Sequence, residues 1–238
     1  MEELENILGQ AIPSFRPVTG QVITEESGDE ELSPAAKIAR NMTTYYSNPW
    51  ALVEDKCIYT LEETNLLDPV KPFPNYPWLQ EIAAQWQSEP LLALFKSRRM
   101  TCTWLFVFLH LWLAMFREGA AIFFVSDKEE KSDELVKRAA FIYNHIPNDM
   151  ILKPEGKYTY CNLKFPGLNS RIQGVAQGAD QLRQYSATAI LMDEFAFWDR
   201  ARETFQASKP TIDGGGKITL ISSPREGFFK ELVFDLVR

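Results

Sequence analysis

The chain has 238 residues, a net charge of −7, 45% hydrophobic residues and 13% aromatic ones. That length suits one large domain or two small ones with a packed core, and the acidic balance argues against a surface wholly devoted to wrapping nucleic acid while allowing a local basic stripe. Three scattered cysteines (Cys57, Cys102, Cys161) and two histidines (His110, His145) indicate neither a disulfide framework nor a zinc site and leave little room for histidine-based triad chemistry.

The start, Met1-Glu2-Glu3-Leu4-Glu5, is acidic and does not read as a secretory signal. Residues 1–60 read as an N-terminal appendage with an acidic Gly/Ser-bearing linker at 25–31. Ser33-Pro34 opens a helix running through Met42. Proline and turn formers over 66–77 mark the entry into a main domain, 61–238. From there the pattern alternates: a helix at Trp78–Gln87, an apolar strand at Leu91–Lys96, and a very apolar helix at Cys102–Arg117. Its 13-residue apolar core, Trp104–Phe116, falls short of the ~18–20 residues a membrane span needs, so it is a buried helix and His110 a core or helix-face histidine rather than a ligand. A strand at Ala120–Val125 precedes an amphipathic helix at Lys131–Asn144, stopped by Pro147. Tyr158–Phe165 and Ser170–Val175 pair as an antiparallel hairpin or edge. Ile190–Met192 and Ile218–Ser222 are buried strands, Gly214-Gly215-Gly216 is a turn, and Phe228–Val237 is a helix. Strands and helices alternating in this way, with the strands apolar throughout, make a mostly parallel sheet covered on both faces.

Two places in this frame carry chemistry. Ala187–Met192 is an apolar run that ends in Asp193-Glu194. A buried strand here delivers paired carboxylates to the carboxyl edge of a sheet, where open α/β folds build their sites. In an NTPase the first acid helps hold Mg²⁺ and the second orients or deprotonates a water; the alternative is a core strand ending in a solvated turn. The second place is the junction Lys96-Ser97-Arg98-Arg99-Met100-Thr101-Cys102-Thr103 between a strand and a helix. It lacks the G-x-x-x-x-G-K-S/T pattern, with no glycine and Cys102 where the lysine belongs. A helix N-terminus still offers free N–H groups to phosphate, Thr103 offers a hydroxyl to Mg²⁺, and Lys96, Arg98 and Arg99 supply cations. The alternative is an ordinary turn with solvated basic residues.

This junction resembles the variant phosphate loop of the large terminase subunits of tailed bacteriophages, K-S-x-R-x-G-x-S/T, through Lys96, Ser97, Arg99 and Thr103. Thr101 departs from it, standing where the family has glycine, so its backbone must avoid positive φ or accept strain there. Further pieces follow in family order. Gln80, in Trp78-Leu79-Gln80, is similar to the adenine-contacting glutamine, an amide able to pair with donor and acceptor edges together. Ser170-Arg171-Ile172 and Leu182-Arg183 resemble the approach to the acid pair, with Arg183 at the position of an arginine finger acting in trans and Gln184 replacing a glycine. Asp193-Glu194-Phe195-Ala196-Phe197 resembles the family's acid motif. Ile218–Phe229, containing Ser222-Ser223-Pro224, resembles its coupling motif.

The resemblance covers roughly residues 75–238. It implies an α/β, RecA-like (ASCE) P-loop NTPase with a mostly parallel central sheet flanked by helices and antiparallel edge additions. ATP would sit on Lys96, Ser97, Arg98, Arg99, Met100, Thr101, Cys102 and Thr103, with Gln80 on the base. Mg²⁺ would be held by Thr103 and Asp193, and Glu194 would activate water. Arg98 or Arg99 in cis, or Arg183 from a neighbouring subunit, would stabilise the transition state, and Ser222 and Ser223 would couple phosphate loss to motion. The implied function is an ATPase driving double-stranded DNA into a procapsid in the host cytoplasm, as a ring on the portal protein with the small terminase subunit as partner. The family's C-terminal nuclease domain is expected to lie outside this chain. Two other readings remain at this point: another RecA-like helicase or translocase, and a degenerate P-loop module that assembles without hydrolysing.

Overall fold

The computed structural model describes residues 33–62, 64–97, 100–178, 182 and 186–234. The acidic linker expected at 25–31 and the helix end expected beyond residue 234 lie outside them. The chain divides into two compact units, the first ending at Pro74 and taking in His145–Lys153, the second comprising Asn75–Asn144 and Pro154 onward.

In the first unit, α1 (Pro34–Ser47) starts where the sequence places it. The Ser33 hydroxyl accepts from the Ala36 N–H and proline occupies the first turn. The helix continues past Met42 to Ser47, because Ala39, Met42 and Tyr45 form one buried stripe. Thr43 and Thr44 tolerate this by donating to the carbonyls of Ala39 and Arg40 one turn back. After the short α2 (Ala51–Glu54), β1 (Tyr59–Leu61) and β2 (Val70–Pro72) form an antiparallel pair. Tyr45, Trp50, Leu52, Ile58 and Phe73 are buried in this unit.

The second unit is built on a seven-stranded sheet. Its elements in chain order are α3 (Pro77–Ser88), β3 (Leu91–Phe95), α4 (Cys102–Phe116), β4 (Ala121–Ser126), α5 (Glu129–His145), β5 (Lys157–Thr159), β6 (Asn162–Phe165), β7 (Ser170–Ala176), β8 (Ala189–Asp193), α6 (Ala201–Asp213), β9 (Lys217–Ser222) and α7 (Phe228–Phe234). The strand order is β3-β9-β8-β4-β7-β6-β5. The first five strands are mutually parallel, and β6 and β5 extend the sheet antiparallel beyond β7. This is the mostly parallel sheet with antiparallel edge additions that the alternation predicts.

Both faces are covered, which is why the central strands β4, β8 and β9 are largely apolar. β4 is buried at all six residues. Phe123, Val125, Ile190, Met192, Ile218 and Leu220 pack with Phe205 of α6 and Phe229 of α7 on one face. On the other, the His110 ring of α4 meets Phe124 and Trp86, and Trp86 Nε1 donates to Thr219 Oγ1 at 2.8 Å. Every residue of α4 from Leu105 to Phe116 is buried, so its lack of a polar face reflects enclosure by protein. The Lys217 ammonium donates to the carbonyls of Trp86, Gln87 and Glu89, satisfying the end of α3. Gly174 lets α5 approach β7 closely, since a Cβ there would stand 3.1 Å from the Ser132 backbone.

The antiparallel pairing of Tyr158–Phe165 with Ser170–Val175 holds through β6 and β7. Tyr158–Phe165 is in addition a hairpin in itself, turned at Cys161, whose φ is +54°. Asp133 of α5 fixes that turn by accepting from the Cys161 N–H at 2.7 Å and the Tyr158 hydroxyl at 2.9 Å. β7 is no edge, because β4 pairs with it on its other side. The sequence reading also assigned no element between the acid pair and Gly214, where α6 stands. Its buried residues Ala201, Thr204, Phe205 and Ser208 do have helical spacing; the polar composition and Pro210 near its end obscure them.

Candidate active site

Strand register brings the chemistry-bearing residues to one level of the sheet's carboxyl edge. Phe95 pairs with Ser222, Ile221 with Asp193, and Met192 with Val125. The residues just beyond these pairs are Lys96 after β3, Ser223 after β9, Glu194 after β8 and Asp127 close after β4. The Lys96 N–H continues the ladder by donating to the Ser222 carbonyl at 2.9 Å. β9 lies between β3 and β8, so the lysine and the acids reach each other across one intervening strand.

The side chains close that gap. The Lys96 ammonium, only 8% exposed, lies 2.6 Å from Glu194 Oε1 and 3.7 Å from Asp193 Oδ1. Thr103, in the first turn of α4, donates to Asp193 Oδ1 at 3.4 Å. Ser222 is buried; its Oγ accepts from the Ala196 N–H at 3.1 Å and lies 3.5 Å from Glu194 Oε2, which the Ser223 N–H also approaches at 3.4 Å. Burial pushes the Asp193 carboxyl above the usual carboxylate range; the Lys96 charge opposes this and the neighbouring Glu194 charge adds to it. A nearby cation therefore bears directly on the charge of this acid.

Glu194 sits in the left-handed region, φ +54°. The turn it begins is closed by several bonds. Its own N–H donates to Asp193 Oδ1, the Phe197 N–H to its carbonyl, and Trp198 Nε1 to the Asp193 carbonyl at 3.1 Å. Phe195 is fully buried against Trp198, Phe228 and Phe229. Thr101, immediately before α4, is also left-handed, φ +58°, and makes no side-chain cap bond. Threonine thus accepts here the strain of a backbone region that favours glycine.

Lys96, Asp127, Lys131, Glu194, Phe197, Trp198 and Ser223 line a cleft of about 510 Å³, within the range of small-molecule sites. Of the sequence candidates, Lys96, Glu194 and Ser223 line the cleft, and Asp193, Thr103 and Ser222 are bonded to that group behind it. Ser97 and Met100 are exposed on the loop, and Cys102 is buried, its thiol raised by that burial. Gln80 is exposed on the first turn of α3 and is not among the residues lining the cleft. Arg98, Arg99 and Arg183 lie outside the described residues. The sequence reading missed Asp127, Lys131, Phe197 and Trp198. Asp127 carried a usable signal, because it follows an apolar strand just as the acid pair does.

Neither a family model nor a curated protein matches the sequence. Solved structures do resemble the fold. The large terminase ATPase domain of Thermus phage P74-26 matches with a TM-score of 0.50 at 14% identity, covering 67% of this chain and 68% of that one. The large terminase of bacteriophage HK97 matches with a TM-score of 0.54 at 14% identity, over 75% of this chain and 37% of that one. A large terminase from a thermophilic bacteriophage gives 0.52 at 13% identity, over 68% and 42% respectively. The fold is therefore that of terminase ATPase domains, which are RecA-like. Among the described residues no helix is long and apolar enough to cross a membrane.

Proposed function

We propose that this chain is the ATP-hydrolysing motor domain of a phage large terminase, powering translocation of double-stranded DNA into a procapsid. The observation that supports this most strongly is the meeting of Lys96 and Thr103 with Asp193 and Glu194, two stretches of chain 90 or more residues apart, beside one cleft. That set combines a cation for phosphate oxygens, two hard oxygen donors and a second carboxylate for a water. The likeness to terminase ATPase domains supports the packaging context, and the portal protein, the small terminase subunit and a ring of copies in the host cytoplasm belong to the same reading.

The residues fit Mg²⁺, because the Asp193 carboxylate and Thr103 hydroxyl are oxygen ligands of the kind that ion takes together with substrate phosphates. When bound it would neutralise charge on the phosphates. Lys96 binds the terminal phosphates of ATP and in doing so gives up Glu194, the partner it holds here. Glu194, once released, accepts a proton from the attacking water or orients it. Ser222 and Ser223, both bonded towards Glu194, register the change and pass it through 224–227 to α7. Arg98 or Arg99 in cis, or Arg183 in trans, would supply the finger, worth about 10³–10⁵ in rate. Gln80 would need the base to extend beyond the cleft to reach it.

Steady-state ATP hydrolysis with Mg²⁺, measured with and without DNA, tests the proposal. Glu194→Gln should bind ATP and lose about 10²–10⁴-fold in turnover. Lys96→Ala should lose affinity or turnover, whereas Cys102→Ala should keep both. Hydrolysis by Glu194→Gln near the wild-type rate would sink the catalytic assignment. Nucleotide binding without any hydrolysis by the wild-type chain would favour a non-hydrolysing assembly module.

A further inference from the structure

The cleft holds two lysine–carboxylate pairs, and the mechanism above uses only one. β4 runs beside β8, and beyond the Val125–Met192 pairing both strands end at the same level. Asp127 leaves one strand and Glu194 the other, and both line the cleft, as do Lys96 and Lys131. Lys96 lies 2.6 Å from Glu194, and Lys131 lies 2.8 Å from Asp127.

The pairs differ in how firmly they are held. The Lys96 side chain is 8% exposed and lies between two acids. Lys131 is 63% exposed, and its bond to Asp127 is an i,i+4 pair across the start of α5. Such a pair contributes little to stability at a wet surface, so exchanging Asp127 for a more highly charged partner costs little. The face of α5 that carries Lys131 also carries Arg138, seven residues on. Arg138 stands over the Trp104 ring beside Thr103, 5.5 Å from its centroid, and its charge acts to lower the Asp193 carboxyl. Lys131 and Arg138 of α5 thus both bring positive charge towards the site.

We propose that Lys131 is a second phosphate-contacting cation, parked on Asp127 until the terminal phosphate of a bound nucleoside triphosphate draws it across the cleft. The inference rests on the reading of this cleft as a nucleotide site. It gives Asp127 the role of a competing partner, which weakens triphosphate binding by holding Lys131 back. A pair serving only to stabilise the start of α5 would leave nucleotide affinity indifferent to both residues.

Binding of ATPγS and of ADP, each with Mg²⁺, is measured by calorimetry for the wild-type chain, Lys131→Ala, Lys131→Arg, Asp127→Asn and the Asp127→Asn/Lys131→Ala double variant. Lys131→Ala should weaken ATPγS about tenfold, the usual worth of one charge-assisted hydrogen bond, while ADP binding stays near wild type. Lys131→Arg should retain most ATPγS affinity. Asp127→Asn should tighten ATPγS in the wild-type background and not in the Lys131→Ala background, because the gain requires the released ammonium. Equal tightening in both backgrounds would reduce Asp127 to a distant repulsive charge and overturn the proposal, as would an unchanged ATPγS affinity in Lys131→Ala or an equal loss for ADP. A wild-type chain that binds neither nucleotide would instead remove the nucleotide-site reading itself, a result distinct from wild type and Lys131→Ala binding equally well.

Discussion

The two walls of the cleft solve the same backbone problem differently. Each places a residue with a side chain in the left-handed region next to the chemistry: Thr101 at the loop, φ +58°, and Glu194 at the acid turn, φ +54°. The acid turn is over-determined. Ser222 Oγ, the Asp193 carboxylate, the Trp198 indole and the buried Phe195 ring all hold it in place. Around Thr101 the described residues supply less: it makes no side-chain cap bond, its carbonyl accepts the helical bond from the Leu105 N–H, and the Cys102 thiol contacts the Met100 carbonyl. Left-handed backbone persists in a branched residue only where its surroundings enforce it. The acid turn is therefore held from several sides, and Thr101 by fewer contacts among the described residues.

Phe195→Ala attacks the acid turn and should show the largest effect. Removing a fully buried ring costs about 3–5 kcal/mol, visible as a drop in the urea midpoint, with loss of nucleotide binding in the folded fraction. A loss under ~1 kcal/mol would mean that the hydrogen bonds alone hold the turn, well below the usual cost of an aromatic deletion. Acid tests the helix that begins at the loop. Burial pushes the His110 imidazole down to about 4, below its unfolded value of about 6.5. Its contribution is fully present above about pH 6.5 and is lost as pH falls towards 4, on the order of 3 kcal/mol in all. His110→Gln should remove that part of the decline in urea stability between pH 7 and 4.5, leaving the part due to carboxylates. An identical pH profile in the variant would show that the imidazole does not contribute. Thr101→Gly is the smallest. Relief of about 1–2 kcal/mol of strain, less the entropy glycine adds to the unfolded chain, leaves a gain of ~0.5–1 kcal/mol in thermal stability. Destabilisation by this substitution would show that Thr101 is held by contacts worth more than its strain, and would erase the contrast between the walls.

Much of this site is legible in the amino-acid pattern. Ala121–Ser126 and Lys217–Ser222 announce themselves as strands because burial on both faces leaves them with few charged positions, and Leu91–Phe95, part-buried at the sheet's edge, does so as a short apolar run. Asp193 and Glu194 stand out because two acids at the end of such a run have no packing reason to be there. Lys131 and Asp127 stay hidden because an i,i+4 pair at a helix start is the ordinary dress of a solvated surface. α6 stays hidden because only four of its residues are buried and Pro210 falls near its end. The hairpin at Cys161 depends on Asp133, 28 residues earlier, whose carboxylate gives no sign in the sequence of what it will accept.

By itself the sequence determined the alternation of strands and helices, the parallel sheet and the acid pair at a strand's carboxyl end. These follow from local periodicity, whereas the conflict at Thr101 came only from the family resemblance. The tertiary structure alone decided that β9 runs between β3 and β8, that Lys96 meets Glu194 from 98 residues away, and that Asp127 and Lys131 face the same cleft. Strand order and register are settled by burial and hydrogen bonding between segments distant in the chain, and no local pattern encodes which distant segment will be the neighbour.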